Sequence, residues 1–179
     1  MTNGYFEDNE VGDSRKAGPY FVSKEEIIQF AKQYDPRPFH IDEEAAARSI
    51  FAGLSASAAH TFAIFISLTC KMQPPLFAIA GMGYDELRLP NAERPGDHLD
   101  LESTVLEKRE SRSKPDRGIL RNQVHLRNQK ARRYCSASAV FSLRGDRMRK
   151  HRRKPFNRYH RLVFAPMSLV GQKRSLARS

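Results

Sequence analysis

The chain has 179 residues, enough for one domain with a sizeable core, and 40% of them are apolar. Its net charge is +11, yet residues 148–179 hold ten Lys or Arg and no Asp or Glu, which leaves only +1 for residues 1–147. A near-neutral body with a basic tail argues against a uniformly basic nucleic-acid-binding domain. No apolar run reaches the roughly 18 residues of a membrane span; the longest, Ala56–Cys70, is shorter and is interrupted by His60. The acidic N-terminus lacks the apolar centre of a signal or transit peptide. Cys70 and Cys135 are too few and too far apart for a disulfide framework or a zinc site, and both read as small core residues. The compartment this implies is the reducing cytoplasm.

The first helix opens at Ser23-Lys24-Glu25-Glu26, a capping box in which the Ser23 hydroxyl and the Glu26 carboxylate each satisfy a free backbone donor. Val22 and Ile27 sit at staple spacing, and Ile27, Phe30 and Ala31 form an apolar stripe. Pro36 and Pro38 end this helix and make Tyr34–Ile41 a stiff loop. Asp42 is a good N-cap for a short helix through Arg48. After a turn at Gly53, a third helix over Ala56–Met72 is apolar nearly all round, which predicts burial on every side; Pro74-Pro75 stops it.

Beyond this point the period changes from helical to alternating. Strands are predicted over Leu76–Leu89, Asp97–Arg109, Gly118–Asn128 and Arg133–Leu143. In the second of these, Leu99, Leu101, Ser103, Val105 and Glu107 share one face, and Asp100, Glu102, Thr104 and Leu106 the other. Turn residues separate the strands at Arg94-Pro95-Gly96-Asp97, Lys114-Pro115-Asp116-Arg117-Gly118 and Asn128-Gln129-Lys130. Helices followed by antiparallel strands, with one apolar helix in need of cover, give an α+β class in which a curved sheet wraps a single helix. The domain is assigned to residues 1–147, with 148–179 as a disordered or docked basic tail. A basic arm for RNA or anionic lipid is the sharper alternative for that tail.

The segment Tyr34-Asp35-Pro36-Arg37-Pro38-Phe39-His40-Ile41-Asp42 resembles the hydratase motif of the MaoC-like dehydratases, a group that includes (R)-specific enoyl-CoA hydratases. Phe51–Thr61 resembles the start of that family's central helix. The stretches 83–90, 94–97 and 111–118 are similar to its strand and turn signatures. The resemblance spans about residues 5–145 and implies a hot-dog fold, usually paired as a dimer. It also implies an acyl thioester substrate on coenzyme A or acyl carrier protein, as in fatty acid metabolism, an (R) product, and no cofactor or metal.

Hydrating an α,β-unsaturated thioester needs a base for the proton of water, an acid at the α-carbon and a donor for the enolate-like oxygen. Asp35 and His40, brought together by a proline-stiffened loop, suit the first two roles by holding one water between them. The family's matching residues position and activate that water. The plainer reading makes Asp35 a turn cap and His40 a packed core residue. The third role falls to an amide in the first turn of the helix beginning at Ser57. The family places a Gly there, whereas the matching position here is Ala58, followed by Ala59. Ser57 and Phe51 are assigned to substrate binding, and Phe62 and Phe65 to the depth of the pocket. Arg109, Arg112, Lys114 and Arg117 cluster at one hairpin, where Arg112 could meet a coenzyme A phosphate and where plain solvation is the alternative. His60 reads as a satisfied core histidine, Asp42 as an N-cap, and Asp85 and Glu86 as solvated strand-edge groups. Two further functional readings stand beside the hydratase: a non-catalytic acyl-thioester-binding or partner subunit, and nucleic-acid binding through the tail.

Overall fold

The structure is a computed structural model and describes residues 4–146. The basic tail, and every expectation placed on it, lies outside these residues. Along the chain, β1 (Ser14–Phe21) precedes α1 (Lys24–Tyr34), α2 (Pro38–Ile41), α3 (Glu43–Ala47) and α4 (Ala58–Thr69). Four strands follow: β2 (Ala78–Arg88), β3 (His98–Glu110), β4 (Arg117–Asn128) and β5 (Arg133–Arg144). The sheet is antiparallel in the order β1-β3-β4-β5-β2. Its inner face and α4 share one core, in which Ile64, Phe65 and Leu68 meet Leu99, Leu101, Leu120, Val124, Leu126 and Ala137. A sheet curved over one helix is the hot-dog fold that the motifs imply.

The four predicted strands stand within a few residues of their expected bounds, because turn signals delimit each of them, and β3 and β4 also alternate between faces. Leu99, Leu101, Ser103 and Val105 are all buried, as the alternation requires. The pattern breaks beyond Val105, where a bulge in the pairing with β4 shifts the register and leaves both Leu106 and Glu107 exposed. β1 has no counterpart in the prediction. It contains Pro19, but it is an edge strand whose register shifts between Ala17 and Tyr20, a place where proline costs little.

Three helical expectations need correction. Pro38–Ile41 is one helical turn and not a loop: Pro38 sits at its start, where the missing N–H costs nothing. At the first helix, the Ser23 hydroxyl accepts from the Glu26 amide at 3.1 Å as a capping box requires, but the Glu26 carboxylate turns instead to Tyr20 and His60. Finally, α4 is shorter than expected and is not buried on every side. Ala58, Ala59, Ala63 and Cys70 are exposed, because one sheet covers only one side of a helix. Cys135 is buried on β5 as expected, whereas Cys70 is not.

Phe65 is fully buried at the centre of this helix–sheet contact. Phe65→Ala is expected to lower unfolding stability by about 3–5 kcal/mol, measured by urea titration.

Candidate functional site

The site forms where three short stretches converge. Asp35 caps the C-terminal end of α1, its N–H donating to the Ala31 carbonyl at 2.9 Å. The Asp35 carbonyl then accepts from the Arg37 amide at 2.8 Å, and the Arg37 carbonyl from the His40 amide at 2.9 Å. These bonds fold the proline-rich segment into the turn that brings His40 back toward Asp35. The expected pairing is present: His40 Nε2 lies 3.8 Å from Asp35 Oδ2. That gap is too long for a direct hydrogen bond and suits a water bonded to both. Asp35 keeps 23% of its side chain exposed, so the pair is open to solvent from one side. Its other oxygen, Oδ1, meets Arg37 Nε at 3.1 Å.

His40 is buried, and its second nitrogen has a partner that spacing along the chain does not reveal. Nδ1 lies 2.7 Å from the carbonyl oxygen of Ser55. A carbonyl only accepts, so Nδ1 carries the proton and donates it; in the neutral ring Nε2 is then an acceptor facing Asp35. The rings of Phe39 and Phe51 stand against the imidazole, with centroids 4.5 and 6.2 Å away. Phe51 therefore reaches the site as expected.

Ser57 caps α4. Its Oγ accepts from the His60 amide at 3.2 Å and its carbonyl from the Thr61 amide at 3.0 Å. Ser57 is buried and its oxygens serve the helix, which makes it a structural cap in addition to a candidate contact for substrate. The first two amides of α4, those of Ala58 and Ala59, have no place in the helix's own ladder. Both residues are exposed. The predicted donor position is thus an available amide at the positive end of a helix.

Arg112 is not brought to this site. It lies beyond the far end of β3, roughly 40 Å of strand from the His98 end, at about 3.3 Å per residue. At the same end, Arg117 is bound to Asp116 by two contacts of 2.8 Å, and Lys114 is exposed. Asp42 is the N-cap of α3, accepting from the Ala45 amide at 2.7 Å. Asp85 is exposed and pairs with Arg121, and Glu86 is exposed, as strand-edge groups. Among the described residues no group of three or more His, Cys, Asp or Glu can hold a metal ion.

Beside the site lies a buried polar cluster that the sequence reading left aside. His60 Nε2 meets Glu26 Oε1 at 3.1 Å, Tyr20 donates to the same oxygen, and Phe30 stacks on the imidazole at 4.5 Å. His60 is thus satisfied on one nitrogen, while Nδ1 has no hydrogen-bond partner among the described residues. Burial pushes the Glu26 carboxyl up, but the bonds from His60 and Tyr20 outweigh it and leave the group below the usual carboxylate range. Glu93 is fully buried (0% exposed), and neither of its carboxyl oxygens has a hydrogen-bond partner among the described residues. Thr61 stands close, yet its hydroxyl donates to the Ser57 carbonyl at 3.3 Å. Burial pushes Glu93 up to about 8; the Thr61 hydroxyl offsets a part, and the charges of Asp97 and Glu26 add to the rise. The sequence reading passed over Glu93, whose one signal is a charge beside the Arg94-Pro95-Gly96-Asp97 turn.

Comparison with known proteins gives the family. Residues 7–128 match the MaoC like domain. The chain belongs to the MaoC-like domain family. It is 32% identical over 123 residues to the uncharacterized protein YdeM of Bacillus subtilis (strain 168), covering 67% of this chain and 84% of that one. The crystal structure of the MaoC-like dehydratase from Rhodospirillum rubrum matches with a TM-score of 0.74 and 40% identity, over 79% of this chain and 97% of that one. The (R)-hydratase from A. caviae involved in PHA biosynthesis shares the fold, with a TM-score of 0.62 and 24% identity over 75% of this chain and 97% of that one. This MaoC-like domain has no helix, among its described residues, long and apolar enough to cross a membrane.

The raised value of Glu93 has a sign that can be tested. Its folded pKa of about 8 lies above an unfolded value of roughly 4.3, so the native state holds a proton that the unfolded chain has lost. Stability should be fullest below the unfolded value and fall as pH rises through about 8. Glu93→Gln removes this titration at nearly constant shape. The variant's Tm should exceed the parent's at pH 8, and the gap should close toward pH 5. A gap independent of pH would contradict the assignment.

Proposed function

We propose that this MaoC-like domain adds water to, or removes it from, the C2–C3 bond of an enoyl or 3-hydroxyacyl thioester carried on coenzyme A or acyl carrier protein. The observation that carries this reading is the orientation of His40. Its Nδ1–H is committed to the Ser55 carbonyl, and its Nε2 faces Asp35 across 3.8 Å. A water seated between them can give a proton to Nε2 as its oxygen bonds to C3. The C2–C3 π electrons move toward the thioester carbonyl, whose oxygen takes a hydrogen bond from the Ala58 amide. The imidazolium, facing the Asp35 carboxylate, then returns the proton to C2 and the carbonyl re-forms. Oxygen adds at C3 and hydrogen at C2, and water is the source of both. The steps are acid–base throughout, so the reading calls for no cofactor. The 40% identity to a protein described as a MaoC-like dehydratase supports the same reaction class.

Hydration of crotonyl-CoA, followed as loss of enoyl absorbance, tests the assignment. Asp35→Asn and His40→Ala should each lower kcat by about 10²- to 10⁴-fold. Unchanged rates in either variant would sink it.

The functional unit we propose is a dimer formed through β2. This strand ends the sheet and is exposed along nearly its whole length, with Ile79 and Met82 at 41% and 56%. An open apolar edge next to the exposed face of α4 is suited to a second copy, and exposed edges of this kind are otherwise prone to association. Light scattering on the eluting protein should give twice the 20.5 kDa chain mass. Met82→Asp should shift the protein toward monomer; a parent that runs as a monomer at micromolar concentration would contradict the proposal.

A further inference from the structure

Ser55 does not hold its carbonyl toward His40 unaided. The turn before it is unusual, with Ala52 at φ 51° and Gly53 at φ 144°. Such a turn points several carbonyls the same way, and one side chain gathers them. Arg94 Nη1 donates to the carbonyls of Gly53 at 2.6 Å and Leu54 at 3.1 Å, and Nη2 donates to that of Phe51. Among the described residues no carboxylate pairs with this guanidinium, so these three carbonyls are the partners the structure gives it.

Arg94 is itself fixed from behind. Its N–H donates to Asp97 Oδ2 at 2.8 Å, and its carbonyl accepts from the Asp97 amide at 3.1 Å. Asp97 is buried and its Oδ1 accepts from Asn128 on β4 at 2.9 Å. On the other side of Ser55, the Ala56 amide donates to the Glu93 carbonyl at 3.0 Å. The 93–97 turn therefore grips the chain both before and after Ser55, whose own carbonyl is left to His40.

We propose that Arg94 is a positioning residue for the water-activating pair: its forked guanidinium fixes the 51–54 turn, and through Ser55 it fixes the proton-bearing nitrogen of His40. A lysine at 94 presents one compact charge and cannot reproduce a planar fork across three carbonyls. Without the fork, half-buried carbonyls lose their donors and the turn must find another shape. The Ser55 carbonyl then moves from Nδ1, and rings with the proton on Nε2 lose the acceptor that the water needs.

The kinetic part of this inference rests on the proposed reaction, and the tautomer part does not. Full-length Arg94→Ala and Arg94→Lys should be compared with the parent by nitrogen-15 NMR of the imidazoles, with His40 assigned by its loss in His40→Asn. Melting temperatures and the kcat and KM for crotonyl-CoA complete the set. The parent's His40 should carry its proton on Nδ1, and both variants should fold and show mixed tautomers. Their kcat should fall by about 10- to 100-fold while KM stays within about threefold. Methylguanidinium should restore part of the activity of Arg94→Ala and none of that of Arg94→Lys. A pure Nδ1–H tautomer with full kcat in Arg94→Ala would overturn the proposal. So would failure of both variants to fold, which would make Arg94 a stability residue only. If the parent itself does not hydrate crotonyl-CoA, the reaction fails, and the tautomer measurement alone decides the role of Arg94.

Discussion

The hydrogen bond from His40 Nδ1 to the Ser55 carbonyl is the contact on which the rest of the site depends. At 2.7 Å it decides which imidazole nitrogen is protonated, and so which one can accept from a water. Without it, nothing in the 3.8 Å approach of Asp35 and His40 would choose between the two tautomers. With it, a neutral ring presents Nε2 as an acceptor toward Asp35, the arrangement that the proposed reaction uses. The same carbonyl lies two residues before Ser57, the N-cap of α4. The carbonyl that holds His40 and the Ala58 amide are therefore separated by only two residues of chain, which limits how far they can drift apart.

The fold serves this arrangement through its helix starts and turns more than through its sheet. The sheet supplies a rigid wall of Leu, Val and Ala side chains under α4. The groups of the proposed site sit at the margin of that core, on the C-cap of α1, the single turn of α2 and the first turn of α4. Such places leave backbone donors and acceptors free, and freedom of that kind is what an acid–base site uses. The cluster of Tyr20, Glu26 and His60 ties β1, α1 and α4 together beside the site. A displacement of α1, which carries Asp35 at its end, would therefore have to break that cluster.

Much of this was legible in the residues. The two prolines between Asp35 and His40, with the family resemblance, singled out the pair, Asp42 and Ser57 announced their helices, and β-type patterning between turn signals marked four of the five strands. What was not legible follows from distance in the chain or from competition between partners. Ser55 accepts from a histidine fifteen positions earlier, and no periodicity links the two. Glu26 reads as half of a capping box, yet its carboxylate gains more from His60 and Tyr20, which only the fold brings near. Glu93 carries no motif of its own, and only the folded chain shows that its side chain is closed over. The helix expected to be buried on every side shows an alanine-lined face that the other described residues leave exposed.

The central claim is that Asp35, His40 and the Ala58 amide converge on one reacting carbon frame. A crystal structure of the Asp35→Asn variant soaked with crotonyl-CoA measures this directly. The claim predicts the thioester oxygen within hydrogen-bond distance of the Ala58 amide, and C3 beside a water held between residue 35 and His40 Nε2. An acyl chain bound away from the pair, or a thioester turned so that its carbonyl cannot meet the start of α4, would contradict it.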